Sequence, residues 1–412
     1  MKSICMLDQT LYEFDTRVTR KAEALIAAGY SVDVLALRRP GGKKTFTRNG
    51  VTVHTFPLTK KRASLARYAF EYVSFFLWVF VKVPLLMRRR KYSVIEANTL
   101  PDFLIFAAVL GRWMGAKLVL DMHEIMPEFY AAKYGNAPDS WQMRALKYLE
   151  RISIGFADHV VTITEPIQDL LVSRGLSRAQ STVVMNAADE AYFQPSLAQG
   201  GAGDAVIDPR KFAILYHGTL ARRYGLDIAI EAFSLAHHEM PAAELWILGF
   251  GPDEDYLRDL VQRRGLTSKV RMLGAVPPSE VSSWVGRCDV GIVPLRRSAF
   301  YDFAFPNKLS ELIIMGKVVV VSRLKTIQHY FSDEALVYCE PNDAADLAKQ
   351  LLRVYHDRAS RARRVAKARE EYAPLRWDVM KQRYLNVIAD MAGTLERTAN
   401  PSPAVEATVI PR

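Results

Sequence analysis

Short apolar runs alternate with helix-period stretches along most of this chain. Residues 3–7 form the first run and read as a buried strand. Val18, Ala22, Leu25 and Ile26 then recur on one helical face, with Gly29 as a stop. Residues 31–37 form a second apolar run. A strand, a helix and a strand in this order make a βαβ unit, which implies a parallel sheet. Further strands are expected at 51–56, 94–97, 117–121, 159–163 and 182–185. Residues 195–210, rich in Gly, Ala, Pro and Asp, break the alternation and read as a linker. The pattern restarts with strands expected at 212–216, 244–248, 269–273, 289–293 and 318–322.

The chain is therefore expected to be α/β, with two doubly wound, Rossmann-like domains facing across a cleft. The expected divisions are a first domain over 1–194, a linker over 195–210 and a second domain over 211–375. A helix over 376–392 is expected to pack back on the first domain, and 393–412 reads as a flexible tail. In such sheets ligands sit beyond the carboxyl ends of the strands.

Composition adds little to this, but charge does. Hydrophobic content of 50% and charged content of 24% are ordinary for a folded soluble chain. Cys5, Cys288 and Cys339 are odd in number and far apart, which excludes a disulfide framework and zinc-ligand spacing and suggests a reducing compartment. The N-terminus turns polar too soon for a signal peptide. The net charge is +11, and residues 58–91 hold nine basic residues and one acid, so most of the excess is local. Seven aromatics lie between Tyr68 and Phe80 in the same stretch.

A basic, aromatic segment suggests an anionic partner. Its charge-free run, 72–81, falls short of the ~20 residues that a spanning helix needs, and Lys82 and Pro84 interrupt it. Three readings stand: a buried helix, a helix lying on a membrane surface, or a span. The flanking clusters Lys60, Lys61, Arg62 and Arg88, Arg89, Arg90, Lys91, with Trp78 between, suit anionic headgroups. No nucleic-acid motif accompanies them.

Three post-strand segments carry candidate chemistry. His217-Gly218-Thr219 leads to Arg222 and Arg223, and guanidinium groups match phosphate oxygens in a fork. Pro306-Asn307-Lys308-Leu309 opens a helix whose free N–H groups suit an anion, and Glu311 one turn in can accept from ribose hydroxyls. Asp121-Met122-His123-Glu124 follows the strand at 117–121 and reads as a catalytic loop. His-Glu lacks the second histidine of a zinc-protease helix, so no metal is expected. Gly249-Phe250-Gly251 lacks the third glycine of a dinucleotide fingerprint, since Glu254 stands there. Asp253-Glu254-Asp255 suits a helix start better than a metal.

The ordered set of motifs resembles the GT-B glycosyltransferases, most closely glycosyltransferase family 4. The resemblance runs over residues 1–392. It includes Asp15-Thr16-Arg17 before a long helix, the loop 121–124, the stretch 184–189, the loop 217–227, the stretch 248–295 and the segment 305–322. It implies retaining, metal-independent transfer of a hexosyl or related sugar from a nucleotide-sugar co-substrate, with no further cofactor. The acceptor would be a glycan or a lipid-linked molecule in polysaccharide or glycolipid synthesis, at the cytoplasmic face of a membrane.

It also implies roles for single residues. Gly218, Thr219, Arg222, Arg223 and Lys308 would hold the diphosphate, Asn307 and Leu309 would bind the donor beside Lys308, Glu311 would hold the ribose, and Gly274 and Val276 would lie near the base. His123, with Glu124 beside it, would reach the transferred sugar, and Asp15 and Arg17 would lie on the acceptor side. The chain departs from the family where Phe303 replaces the first of two glutamates, and where Thr219 and Tyr224 replace basic residues. Asp8-Gln9-Thr10 replaces a glycine pair. A nucleotide-sugar epimerase of the same fold and a non-catalytic nucleotide-sugar binder are the alternatives.

Overall fold

The computed structural model describes residues 1–60, 65–134, 140–188, 190, 192–194 and 210–394. Lys61, Arg62, most of the expected linker and nearly all of the expected tail lie outside the described residues. The first domain holds one eight-stranded sheet. Its strands are β1 (Ser3–Leu7), β2 (Ser31–Leu37), β3 (Thr45–Arg48), β4 (Val51–Phe56), β5 (Tyr92–Asn98), β6 (Lys117–Met122), β7 (His159–Thr162) and β8 (Ser181–Val183). The order is β3-β4-β2-β1-β5-β6-β7-β8, parallel except for β3.

The second domain holds six parallel strands. They are β9 (Phe212–His217), β10 (Ala243–Leu248), β11 (Val270–Gly274), β12 (Val290–Val293), β13 (Val318–Ser322) and β14 (Val337–Cys339). Their order, β11-β10-β9-β12-β13-β14, is that of a dinucleotide-type doubly wound sheet, with the reversal between β9 and β12. All residues of β9, β10, β12 and β13 are buried, because helices cover both faces of a parallel sheet. That is why these strands read as continuous apolar runs.

Two strands were not expected from the sequence. β3 is largely polar and exposed, and exists as an antiparallel partner of β4 at the sheet edge. β14 has three residues, too few to carry a period.

Helix α1 (Thr16–Ala27) starts where the Asp15 carboxylate accepts from the N–H groups of Arg17 and Val18. Its buried face includes Val18, Ala22 and Leu25. The helix Trp377–Ala392 packs on α1, β5 and β8 of the first domain. Its Tyr384 hydroxyl donates to the buried Glu96 carboxylate at 2.6 Å. Lys21 of α1 lies 4.0 Å from Glu96 and donates to Asp121 at 2.7 Å. The last helix thus completes a buried polar network in the first domain.

Helix α2 (Leu65–Met87) corrects the expectation that Lys82 and Pro84 interrupt the apolar run. The helix continues because Phe75, Val79, Val83 and Met87 pack their whole side chains against the sheet. Tertiary burial outweighs the proline penalty here. The opposite face leaves Phe70, Val73, Leu77, Val81 and Leu85 between 48% and 58% exposed. Trp78, expected among the membrane-facing residues, turns inward and stacks on Phe56 at 5.3 Å. The helix is long and apolar enough to span a membrane by length and composition, yet one face is committed to the domain core.

Candidate active site

The reversal between β9 and β12 opens onto a cavity of about 530 Å³ lined by both domains. From the second domain, β9 ends in His217 and leads directly to Gly218 and Thr219. The helix Asn307–Ile314 points its first turn at the same space, supplying Asn307, Lys308 and Glu311. From the first domain, His123 and Glu124 follow β6, and Asn186 follows β8.

The β9 loop is shaped by close backbone approach. A Cβ on Gly249 would fall 1.9 Å from the Gly218 carbonyl oxygen, and Gly249 holds φ +142°. Gly249 is therefore a packing requirement beneath the site, in line with the weak dinucleotide signal of its segment. The position a Cβ would take on Gly218 lies 3.1 Å from Lys308 Nζ, so the missing side chain leaves room for that ammonium.

The electrostatics centre on Lys308. Its Nζ donates to the Tyr216 hydroxyl at 2.8 Å and lies 4.0 Å and 4.5 Å from the Tyr216 and Tyr224 ring centroids. Burial pushes its pKa down to about 7, Glu311 opposes this, and the nearby Arg223 adds to it. Glu311 is itself engaged by His217 Nε2 at 2.6 Å. Lys308 thus sits among tyrosines with its nearest carboxylate held by another residue.

Across the cleft, His123 is a neutral imidazole. Burial, reinforced by the charges of Arg17 and Lys21, holds its pKa well below the usual histidine value. Its backbone N–H donates to Thr99 Oγ1 at 3.3 Å, and its Nδ1 lies 4.0 Å from an Asp121 carboxylate oxygen. The domains meet beside this residue: the Phe129 and Phe300 rings make an edge contact at 5.6 Å, and the Glu165 backbone N–H donates to the Tyr330 hydroxyl at 2.9 Å.

The cleft brings together His123, Glu124, Gly218, Thr219, Asn307, Lys308 and Glu311. It does not bring in every expected residue. Arg222 turns out over the Tyr256 ring at 4.9 Å and lies 3.8 Å from Asp227. Arg223 lies over the Tyr224 ring at 5.0 Å, close enough to act on Lys308 without lining the cavity. Leu309 is wholly buried in the core, because it occupies the inward face of its helix. Gly274 closes β11 and accepts from the Gly249 N–H at 2.7 Å, while Val276 packs on the core; neither lines the cavity.

Arg17 lies in a tight crevice with Lys21, Asp121 and His123, and pairs with Asp15 at 2.8 Å. Asp15 and Lys60 line a second cavity of about 380 Å³, with Leu11, Phe14, Arg38 and Leu58. Arg88, Arg89, Arg90 and Lys91 are exposed, and Arg90 lies 3.1 Å from Asp33.

Sequence reasoning gave Tyr216 and Tyr301 no role and noted Tyr224 only as the replacement of a basic residue. Tyr216, Tyr224 and Tyr301 enclose Lys308 or its neighbours, with the Tyr224 and Tyr301 rings 6.2 Å apart. Tyr216 looks like a strand residue and Tyr301 lies in a loop, so no spacing joins them. Among the described residues, no group of three or more His, Cys, Asp or Glu is placed to hold a metal ion.

Two facing doubly wound domains with a cleft at the strand reversal define the GT-B class. The solved sucrose-phosphate synthase of Thermosynechococcus elongatus shares this fold with a TM-score of 0.75 and 19% identity, over 96% of this chain and 100% of that one. Anabaena Alr3699/HepE, solved in complex with UDP-glucose, gives 0.69 and 16% over 95% and 100%. Residues 15–187 match the glycosyl transferase 4-like domain and residues 211–357 match glycosyl transferases group 1. The chain belongs to the GT-B glycosyltransferases of family-4 type. A phosphatidylinositol N-acetylglucosaminyltransferase subunit of Arabidopsis thaliana is 26% identical over 65% of this chain and 55% of its own length. The chain spans about half the length of the leading curated relatives it matches.

Proposed function

We propose that this protein moves a sugar from a nucleoside-diphosphate sugar to a glycan or lipid-linked acceptor, with retention of configuration and without a metal. The observation that carries the reading is the cluster of Gly218, Lys308 and Glu311–His217 at the β9–β12 reversal, facing the neutral His123 across one cavity. Lys308 and the first-turn N–H groups of its helix neutralise the diphosphate, with Arg223 nearby. Glu311, oriented by His217, accepts from the ribose hydroxyls. His123 hydrogen-bonds the transferred sugar.

Glu124 and Glu311 are the carboxylates among the described lining residues, and Glu311 is committed to His217. The reading assigns no covalent sugar intermediate. The bond from the anomeric carbon to the diphosphate breaks, and its electron pair leaves with the diphosphate. The acceptor oxygen bonds to the anomeric carbon from the same face, and its proton passes to a diphosphate oxygen.

The same reading puts the enzyme at the cytoplasmic face of an anionic membrane. The exposed stripe of α2 supports this, since cationic Arg88, Arg89, Arg90 and Lys91 follow its end. The relative that matches over 65% of this chain is named for a phosphatidylinositol substrate.

The test is incubation with nucleotide sugars and a membrane extract. The reading expects nucleoside diphosphate and a glycoside whose anomeric configuration, read by NMR coupling constants, equals that of the donor. An epimerised nucleotide sugar without acceptor product would favour the epimerase. Binding without turnover would favour the non-catalytic binder. An inverted product would overturn retention.

A further inference from the structure

The first domain has a cavity of its own. It measures about 380 Å³, and among the described residues it shares none of its lining with the cleft. The cleft draws on the segments after β6, β7 and β8. The second cavity draws on the segments after β1, β2 and β4. These too are carboxyl ends of parallel strands, where doubly wound sheets take ligands.

Its lining is amphipathic. Leu11, Phe14, Leu37 and Leu58 give it apolar walls, and Arg38 and Lys60 give it cations. Phe14 stays 74% exposed, an apolar ring that the chain itself does not cover. Arg38 is fixed in place: its Nε donates to Thr55 Oγ1 and one Nη to the Thr55 carbonyl, both at 2.9 Å. The nearby carboxylates are answered within the protein. Asp15 pairs with Arg17 at 2.8 Å and accepts from two N–H groups of α1. The wholly buried Asp8 accepts from the Thr10 hydroxyl, and burial with the charge of Asp15 pushes it up to about 7.

The cavity adjoins the exposed stripe of α2. Arg67, in the first turn of α2, donates to the carbonyl of the lining residue Thr59 at 3.0 Å. The same guanidinium lies 5.2 Å from the ring centroid of Phe70, where the exposed stripe begins. A lipid under α2 therefore has cations and an apolar wall beside it. A terminal phosphate carries about −1.5 to −2 charges at neutral pH, which two cations match. Thr10 and Asp15 are engaged within the chain, so a larger polar headgroup gains little from them.

We propose that this cavity binds the terminal phosphate of a membrane lipid, with Arg38 and Lys60 on the phosphate and the apolar wall on its first chain carbons. The inference rests on the membrane reading above. Arg88 to Lys91 give a general attraction to anionic surfaces, and the cavity adds a preference for one headgroup.

The experiment is calorimetric titration of the full chain with glycerol phosphate, dihexanoyl phosphatidate and dihexanoyl phosphatidylglycerol, each below its micelle concentration. Phosphatidate is expected to bind once per chain, at least about tenfold more tightly than either of the others. Lys60→Ala should weaken phosphatidate about tenfold, Lys60→Arg should keep it, and both should melt as the wild type does. Phe14→Ser should weaken phosphatidate at least about threefold and leave glycerol phosphate unchanged.

Equal affinity for phosphatidate and glycerol phosphate would mean a site for free phosphate esters and overturns the lipid as source. Equal affinity for the two lipids, or no saturable binding, overturns the inference. Either result leaves the membrane reading standing if the wild type floats with phosphatidylglycerol vesicles. Failure to float with vesicles of either lipid overturns the membrane reading on which the inference rests.

Discussion

Donor binding should take up a proton, and the site gives the size of the effect. In the free protein Lys308 is pushed down to about 7 by burial, and its ammonium has a tyrosine hydroxyl rather than a carboxylate as its hydrogen-bond partner. A diphosphate beside it restores the ordinary lysine value, near 10.5. Below pH 7 the free lysine is already charged and binding is independent of pH. Above pH 7 each binding event must protonate it, so Kd rises tenfold per pH unit. From pH 6.5 to 8.5 the expected weakening is about 25-fold.

The groups that act on Lys308 are Tyr216 of β9, Arg223 and Tyr224 of the following turn, and Glu311 of its own helix, with His217 behind Glu311 and Tyr301 behind Tyr224. Burial pushes Tyr216 and Tyr301 up, away from this range. The assay is calorimetric titration with a nucleotide sugar, whose esterified diphosphate keeps its charge across the interval. Titration in two buffers of different ionisation enthalpy counts the protons. At pH 8 about 0.9 proton should be taken up per ligand. Lys308→Met should bind weakly and without uptake. A wild-type Kd that stays level from pH 6.5 to 8.5 would refute the reasoning.

Further outcomes follow from the same geometry. Glu311→Ala removes the ribose acceptor and leaves His217 without its partner, so kcat/KM should fall at least ~100-fold, a loss of roughly 3 kcal/mol in steady-state turnover. Gly249→Ala forces a Cβ onto the Gly218 carbonyl, and urea unfolding should register a loss of ~2 kcal/mol or more together with lost nucleotide binding. Joint replacement of Arg88, Arg89 and Arg90 by Glu should abolish flotation with anionic vesicles, at ~1 kcal/mol per basic residue removed, while neutral vesicles show no difference between the proteins. Tyr384→Phe strips Glu96 of its hydrogen bond and should cost ~1–3 kcal/mol of unfolding free energy by chemical denaturation.

The fold was legible because both sheets, β3 apart, are parallel and largely buried. Strands such as β9 and β13 carry no polar face, so an apolar run bounded by turns marks them. β3 escaped because an exposed edge strand has no inward period. The helix α2 was misjudged at Pro84 because its continuity comes from the sheet it lies on, not from its own residues.

In the site, His123, Lys308 and Glu311 were legible because each follows a strand or opens a helix. Leu309 was not separable from them by sequence, since only the helix's rotation sends it to the core. Arg222 and Arg223 are adjacent, and the short turn sends one outward and leaves the other near Lys308. Tyr216 of β9 and Tyr224 of its loop flank Lys308, and Tyr301 from the loop after β12 packs behind Tyr224, a juxtaposition that only the folded sheet creates.

The most direct test is a crystal structure with the nucleoside diphosphate that stabilises the protein. The account predicts the diphosphate against Gly218 and Lys308 Nζ and the ribose on Glu311. Density in the second cavity, between Phe14 and Lys60, or a nucleotide that leaves Lys308 on its tyrosines, would contradict it.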